Sequence, residues 1–147
     1  MRDGGFSIEL ESEYLPGLKE LETFSHINVF WWCHLHDDRK SRSTLECEQP
    51  YRKGPADIGV FTTRSEYRPN PIALTAVAML GIDQDKGIIH IPYIDAEDGT
   101  PVIDLMPYQP SVDRIRDVSV PEWCDHWPKW HEDSADFDWE SEFRFPV

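Results

Sequence analysis

Two arginines stand at the ends of one stiff turn, Arg64-Ser65-Glu66-Tyr67-Arg68-Pro69-Asn70-Pro71. Each proline fixes its own φ and pushes the preceding residue away from helix, so this turn has little freedom. A guanidinium presents a planar fork of donors that fits a carboxylate or phosphate. Two readings stay open on residue type alone: an anion-binding device, or a well-punctuated loop with two solvated arginines. A second group, Asp95, Glu97 and Asp98, crowds the residues before Gly99. Acidic turns are usually structural, but carboxylates there can also hold a cationic or hydroxyl-bearing ligand. A third group is thiol and imidazole: Cys33, His34 and His36, then Cys124, His126 and His131. Neither cluster has a usual zinc spacing. On a strand, Cys33 and His34 point to opposite faces while His34 and His36 share one, so no metal is expected. No G-x-S-x-G, P-loop or G-x-G-x-x-G is present, and no H-x-E with a later P-C-x-x-C. Acyl transfer, nucleotide hydrolysis, Rossmann dinucleotide binding and zinc deamination therefore lack support.

The elements that must position these groups read as mostly β. Residues 7–10 alternate as a short strand. Leu15 to Glu22 is a turn leading into a helical turn or two. Residues 24–36, FSHINVFWWCHLH, are rich in β-branched and aromatic types and predict a buried strand. Asp37 to Pro55 is polar and basic, without a period, and reads as a long loop. Strands follow at 58–63, 72–82, 88–93 and 100–105, with turns at 83–87 and at the Asp98-Gly99 pair. Short strands with regular turn signals predict a barrel or open sheet with minor helix. If sequential strands pair, the acidic turn lies near the end that carries Arg64. Beyond Pro110, Trp123, Trp127 and Trp130 fall at helical spacing, but Pro128 limits that helix to a turn or two. Phe137, Trp139, Phe143 and Phe145 in the acidic tail are expected to dock on the barrel or on a partner.

Length and charge bound the rest. The 147 residues predict one domain. The sequence has no long apolar run for a membrane span and no apolar signal segment near its start. Three distant cysteines fit a reduced, cytoplasmic protein. Net charge is −14, yet Arg39, Lys40, Arg42, Arg52, Lys53, Arg64 and Arg68 concentrate in residues 39–68, which carry +3 against −17 elsewhere. One basic zone on an acidic body can meet nucleic acid at a single face, or be a solvated loop.

Three blocks carry a family resemblance: FSHINVFWWCH at 24–34, GVFTTRSEYRPNPIAL at 59–74 and DAEDGTPVIDLMPY at 95–108. In this order and spacing they resemble the signature blocks of the TsaA-like, or TrmO, family, over residues 4 to about 110. Val120-Pro121-Glu122-Trp123 is similar to the end of short members. The resemblance implies a small TsaA-like β-barrel over residues 1–112, an extension over 113–147, and a homodimer. It implies an S-adenosylmethionine-dependent methyltransferase acting on the N6 nitrogen of threonylcarbamoyladenosine beside the tRNA anticodon. The basic zone would then meet tRNA, with no DNA partner expected. Matched motif positions imply cofactor contacts at His34, Leu35, Arg64, Leu74, Pro92, Tyr93, Ile94 and Asp95. His34, Arg68, Asn70 and Asp98 are the catalytic candidates, with no general base assigned. In-line methyl transfer mainly needs alignment and exclusion of water, so a missing acid–base dyad does not count against it. Three features depart from the family. Longer members begin with an additional strand and a loop that touches the cofactor. Here a partner subunit, the aromatic tail or a different substrate is expected to compensate. Ala73 replaces the usual glycine, and the acidic charge opposes phosphate binding. Two alternatives follow: a methyltransferase of this fold acting on a small molecule, or a cofactor-binding module without catalysis.

Overall fold

Residues 5–145 are described by the structure, a computed structural model. Their strands are β1 (Phe6–Glu9), β2 (His26–Trp32), β3 (Glu46–Glu48), β4 (Asp57–Gly59), β5 (Ile72–Ala78), β6 (Gly81–Asp83), β7 (Ile88–Ile91) and β8 (Val102–Pro107). Two single-turn helices, α1 (Arg39–Arg42) and α2 (Pro110–Asp113), and several 3₁₀ turns complete the chain. The strands make three antiparallel sheets in the orders β1-β7-β6, β5-β2-β8 and β3-β4. The expected mainly β fold is observed.

Alternation dictates which side chains meet. Ile27 and Val29 of β2, opposite Val77 and Thr75 of β5, face inward. They join Ile8, Ile89 and Ile91 of the first sheet and Leu18 of the first 3₁₀ segment in one core. Ile27, Val29, Ile89 and Ile91 are fully buried. Each such side chain contributes about 1.5–3 kcal/mol on burial, which makes this core the main force joining the two larger sheets.

Several elements differ from the sequence expectation. The aromatic strand stops at Trp32, and His34–His36 form a 3₁₀ turn, so the strand-face argument for Cys33, His34 and His36 does not apply. The polar stretch 37–55 is not a uniform loop. Asp38 caps α1 by accepting from the Ser41 amide at 3.0 Å and the Ser41 hydroxyl at 2.6 Å, and β3 pairs with β4. A four-residue helix and a three-residue strand are too short to leave a period. The run 58–63 is strand only through Gly59, then a 3₁₀ turn over Val60–Thr62. The apolar run 72–82 is two strands in two sheets. The Met79 amide closes the ladder to β2 at Ser25 O, 2.9 Å, and the Leu80 amide opens the next one at His90 O, 2.7 Å. One continuous apolar segment thereby turns the corner between the two sheets that share the core.

Sequential pairing fails for the acidic turn. β7 pairs with β1 and β6, and β8 pairs with β2. The Asp98-Gly99 pair therefore does not close a hairpin. Gly99 has φ +82°, and the Thr100 amide donates to Glu97 O at 3.1 Å, the pattern of a turn that needs positive φ at its third residue. Gly87, φ +67°, sits in the β6–β7 hairpin, as the 83–87 turn signal predicts.

Beyond α2 the chain forms a second, aromatic cluster. Trp123 stacks on Tyr51 with centroids 5.0 Å apart, and Trp127 meets Tyr51 and Trp139 edge-on. Tyr51 and Phe143 form an isolated β-bridge. Trp130 stands apart, with Arg114 over its ring at 5.5 Å, because the helical turn ends after Cys124.

Candidate functional site

The Arg/Pro turn is held by its own polar atoms. Buried Thr63 donates its hydroxyl to Val60 O at 2.8 Å and accepts from the Ser65 amide at 3.2 Å. The Ser65 hydroxyl accepts from the Tyr67 amide at 3.1 Å. Arg68 closes the turn, donating to Thr63 O at 2.9 Å and Ser65 O at 3.3 Å. Arg42 clamps the Pro-Asn-Pro corner from α1, donating to Pro69 O at 2.8 Å and Asn70 Oδ1 at 3.3 Å. Arg64 differs. Its side chain is exposed and spends one donor on Leu74 O, 2.9 Å away. β5 is an edge strand, so this bond rests on an open ladder. The remaining donors of the fork stay available.

Two adjoining spaces open here. The larger, about 1120 Å³, is lined by His34, Leu35, Arg64, Tyr93, Ile94, Asp95 and Asp98. The smaller, about 540 Å³, lies against β5 and is lined by Arg64, Arg68, Asn70, Leu74 and Asp95. Trp31, Thr63, Arg64, Ala73 and Asp95 border both. The structure thus brings together every motif position singled out in the sequence except Pro92, which lines neither space. Arg68 and Asn70 sit at the edge but are occupied with backbone and with Arg42.

The electrostatics are sparse. Burial raises the Cys33 thiol, the nearby Glu66 charge raises it further, and Arg68 opposes both. Cys33 is therefore a neutral thiol at neutral pH and a poor nucleophile. His36 pairs with Glu66 at 3.7 Å and meets the Tyr67 ring edge-on, which fixes the 34–36 turn against the arginine turn. Among the described residues no three His, Cys, Asp or Glu side chains converge on a metal-sized site.

Sequence reasoning missed several lining residues. Trp31 reads as core, yet its indole donates to Thr75 Oγ1 at 3.1 Å and its ring borders both spaces. Phe143 and Phe145 of the tail line the larger space; no local signal in the sequence links them to residues a hundred positions earlier. Most of the basic zone is committed internally. Arg42, Arg64 and Arg68 hold backbone carbonyls, as does Arg52 at Phe143 O, 2.8 Å. A carbonyl does not cancel charge, so these cations are ordered rather than neutralised. Lys53 alone faces a carboxylate, that of Glu142 at 3.7 Å.

Comparison with known proteins places this geometry. Residues 1–114 match the model of the tRNA-methyltransferase O N-terminal domain, the first four of them outside the described residues. An S-adenosyl-L-methionine-binding protein of Archaeoglobus fulgidus is 37% identical over 122 residues, covering 80% of this chain and 82% of that protein. The tRNA (adenine(37)-N6)-methyltransferase of Escherichia coli is 36% identical over 105 residues, covering 70% of this chain but 44% of that enzyme. Another Archaeoglobus fulgidus relative, a probable S-adenosyl-L-methionine-binding protein, is 36% identical and spanned over only 29% of its length. A crystal structure of TrmO from Pseudomonas aeruginosa superposes with a TM-score of 0.58 at 29% identity, covering 77% of this chain and 45% of that one. With more than two thirds of its sequence inside that domain, and a fold to match, the chain belongs to the tRNA-methyltransferase O family.

Proposed function

We propose that this protein transfers a methyl group from S-adenosylmethionine to the N6 nitrogen of a threonylcarbamoylated adenosine next to a tRNA anticodon. The observation that carries the reading is the union of Arg64 and Asp95 in one cleft with apolar walls. The donor set fits the cofactor. Arg64 has free donors for a carboxylate, Asp95 accepts from an ammonium or ribose hydroxyl, and Leu35, Ile94, Tyr93 and Leu74 offer apolar surface to an adenine. The cofactor supplies, when bound, an electrophilic methyl group on a sulfonium. The chain's residues then orient and exclude water. Arg64 anchors a carboxylate, of the cofactor or of the threonyl group. His34 stands in the same cleft, where its imidazole can accept the proton that leaves the nitrogen. Asp98 lines the same cleft, while Arg68 and Asn70 act by holding the turn.

Three wider assignments belong to the same reading. Residues 1–112 form the catalytic domain and 113–147 its extension. A homodimer covers the outer face of the β5-β2-β8 sheet, where Ile72 and Met106 remain exposed. The tRNA approaches the zone from Arg39 to Arg68, where Arg39 and Lys40 of α1 project without a carboxylate partner among the described ion pairs. The −14 charge favours a second reading, a small-molecule acceptor at the same cleft. No helix among the described residues is long and apolar enough to cross a membrane.

The test uses the purified chain, labelled S-adenosylmethionine and total tRNA lacking the modification. Saturable cofactor binding with label in tRNA is the expected result. Binding without label in tRNA overturns the tRNA assignment, and no binding overturns methyl transfer altogether.

A further inference from the structure

The C-terminal segment lies outside the matched domain and yet reaches the cleft. It is pinned there at several points. The Arg144 amide donates to Pro50 O at 2.9 Å, and the Arg52 amide donates to Glu142 O at 2.8 Å. The Arg52 guanidinium donates to Phe143 O at 2.8 Å. Glu142 is only 3% exposed and pairs with His126 and with Lys53. A buried carboxylate is tolerated only with such partners, so the segment has a single well-defined register. Phe143 packs into the cluster of Tyr51 and Trp139.

Phe145, two residues on, does not pack there. It is 57% exposed, lines the same cleft as Arg64, Tyr93 and Asp95, and carries Arg144 over its ring at 5.4 Å. The cluster does not need this ring, since Phe143 already fills the site beside Tyr51. A phenyl ring held at a cleft mouth, with a guanidinium on one face, is a stacking platform for a flat heterocycle. Leu35 and Ile94 line the same cleft and add apolar surface to it.

We propose that Phe145 is a specificity-determining residue of the cleft that stacks on an adenine ring. This rests on the methyltransferase reading, which offers two adenines, that of the cofactor and that of the acceptor nucleoside. Because the segment is already pinned, little ordering is required when the ring is engaged.

The experiment compares the full chain with Phe145→Ala, Phe145→Leu and Phe145→Tyr. It measures the Kd for S-adenosylmethionine by calorimetry, KM and kcat with tRNA, and thermal melting. Alanine and leucine should weaken binding about 5- to 150-fold, the range for loss of one base–aromatic stack. Tyrosine should restore it to within about twofold, since it keeps the plane. Leucine separates stacking from mere apolar contact. A rise in the cofactor Kd assigns the ring to the cofactor's adenine; a rise in KM for tRNA alone assigns it to the acceptor. Melting temperature and kcat should stay near wild type. If wild type binds cofactor and methylates tRNA while all three variants match it, the stacking role is wrong and the methyltransferase reading stands. If alanine impairs binding and leucine does not, planarity is irrelevant and the proposal is overturned. Failure of the wild type to bind the cofactor removes both.

Discussion

Arg64 and Arg68 have the same side chain, four residues apart, and the structure gives them different partners and exposure. Arg68 is half-buried and donates to Thr63 O and Ser65 O inside the turn. Hydrogen bonds to a charged donor are worth about 1.5–3 kcal/mol each. Both carbonyls can partly rewet when the guanidinium leaves, so Arg68→Ala should cost roughly 2–3 kcal/mol in all. Arg64 is exposed and makes one bond, to Leu74 O on an open sheet edge. Water replaces that donor, so Arg64→Ala should cost no more than about 1 kcal/mol. At roughly 2–4 °C per kcal/mol for a chain of this size, Arg68→Ala should lower the melting temperature by about 4–12 °C and Arg64→Ala by at most about 4 °C. Binding should show the reverse order. Losing a two-point grip on a carboxylate removes about 3 kcal/mol, or about 100-fold in Kd. Arg64→Lys keeps the charge but not the fork and should fall between. Melting curves and calorimetric titration with S-adenosylmethionine at 20 °C read the two quantities independently. The reasoning fails if Arg64→Ala melts as early as Arg68→Ala while binding normally. It fails equally if Arg68→Ala keeps full stability and loses all affinity.

Other residues make sharp demands. Gly87→Ala places a Cβ against the Leu15 methyl and 3.1 Å from Leu10 O at φ +67°; it should cost about 2 kcal/mol, seen as an earlier urea midpoint with an unchanged slope. Burial raises the Tyr51 hydroxyl above its ordinary range, with the neighbouring Cys47 and Cys124 adding to it. The folded state therefore holds that proton more tightly, and the contribution present below pH 10 is lost as pH rises through the raised value. Tryptophan fluorescence should report loosening of the aromatic cluster above pH 10 in wild type, and Tyr51→Phe should shift that loss to higher pH. The Asp38 carboxyl is held below its usual range, first by the Ser41 hydroxyl and then by the Ser41 amide. Its cap on α1 is intact above the ordinary carboxylate pKa near 4 and is lost as pH falls through the lowered value; Asp38→Asn should remove that acid dependence from exchange of the Ser41 amide with deuterium.

What the sequence makes legible is local, and what it hides is long-range or short. The β2 strand is visible because its residues are rich in β-branched and aromatic types. The hairpin at Gly87 is visible because a positive φ demands glycine. The handover between residues 79 and 80 is hidden, because the apolar run continues across it while the hydrogen-bond partner changes from Ser25 to His90. The acidic turn reaches the cleft, but not by the neighbour pairing that its position suggests. The arginines are the clearest case: a basic residue in a loop reads the same whether it meets solvent, a ligand or a carbonyl. Only the fold separates Arg68, committed to Thr63 and Ser65, from Arg64, with donors to spare. The tail follows the same logic. Its aromatics read as packing, and Trp127, Trp139 and Phe143 do pack. Phe145 has the same residue type but stands one β-bridge beyond the last buried partner, where the chain has reached the cleft mouth. Two residues of displacement along a pinned segment therefore decide whether a phenyl ring packs into the aromatic cluster or lines the cleft.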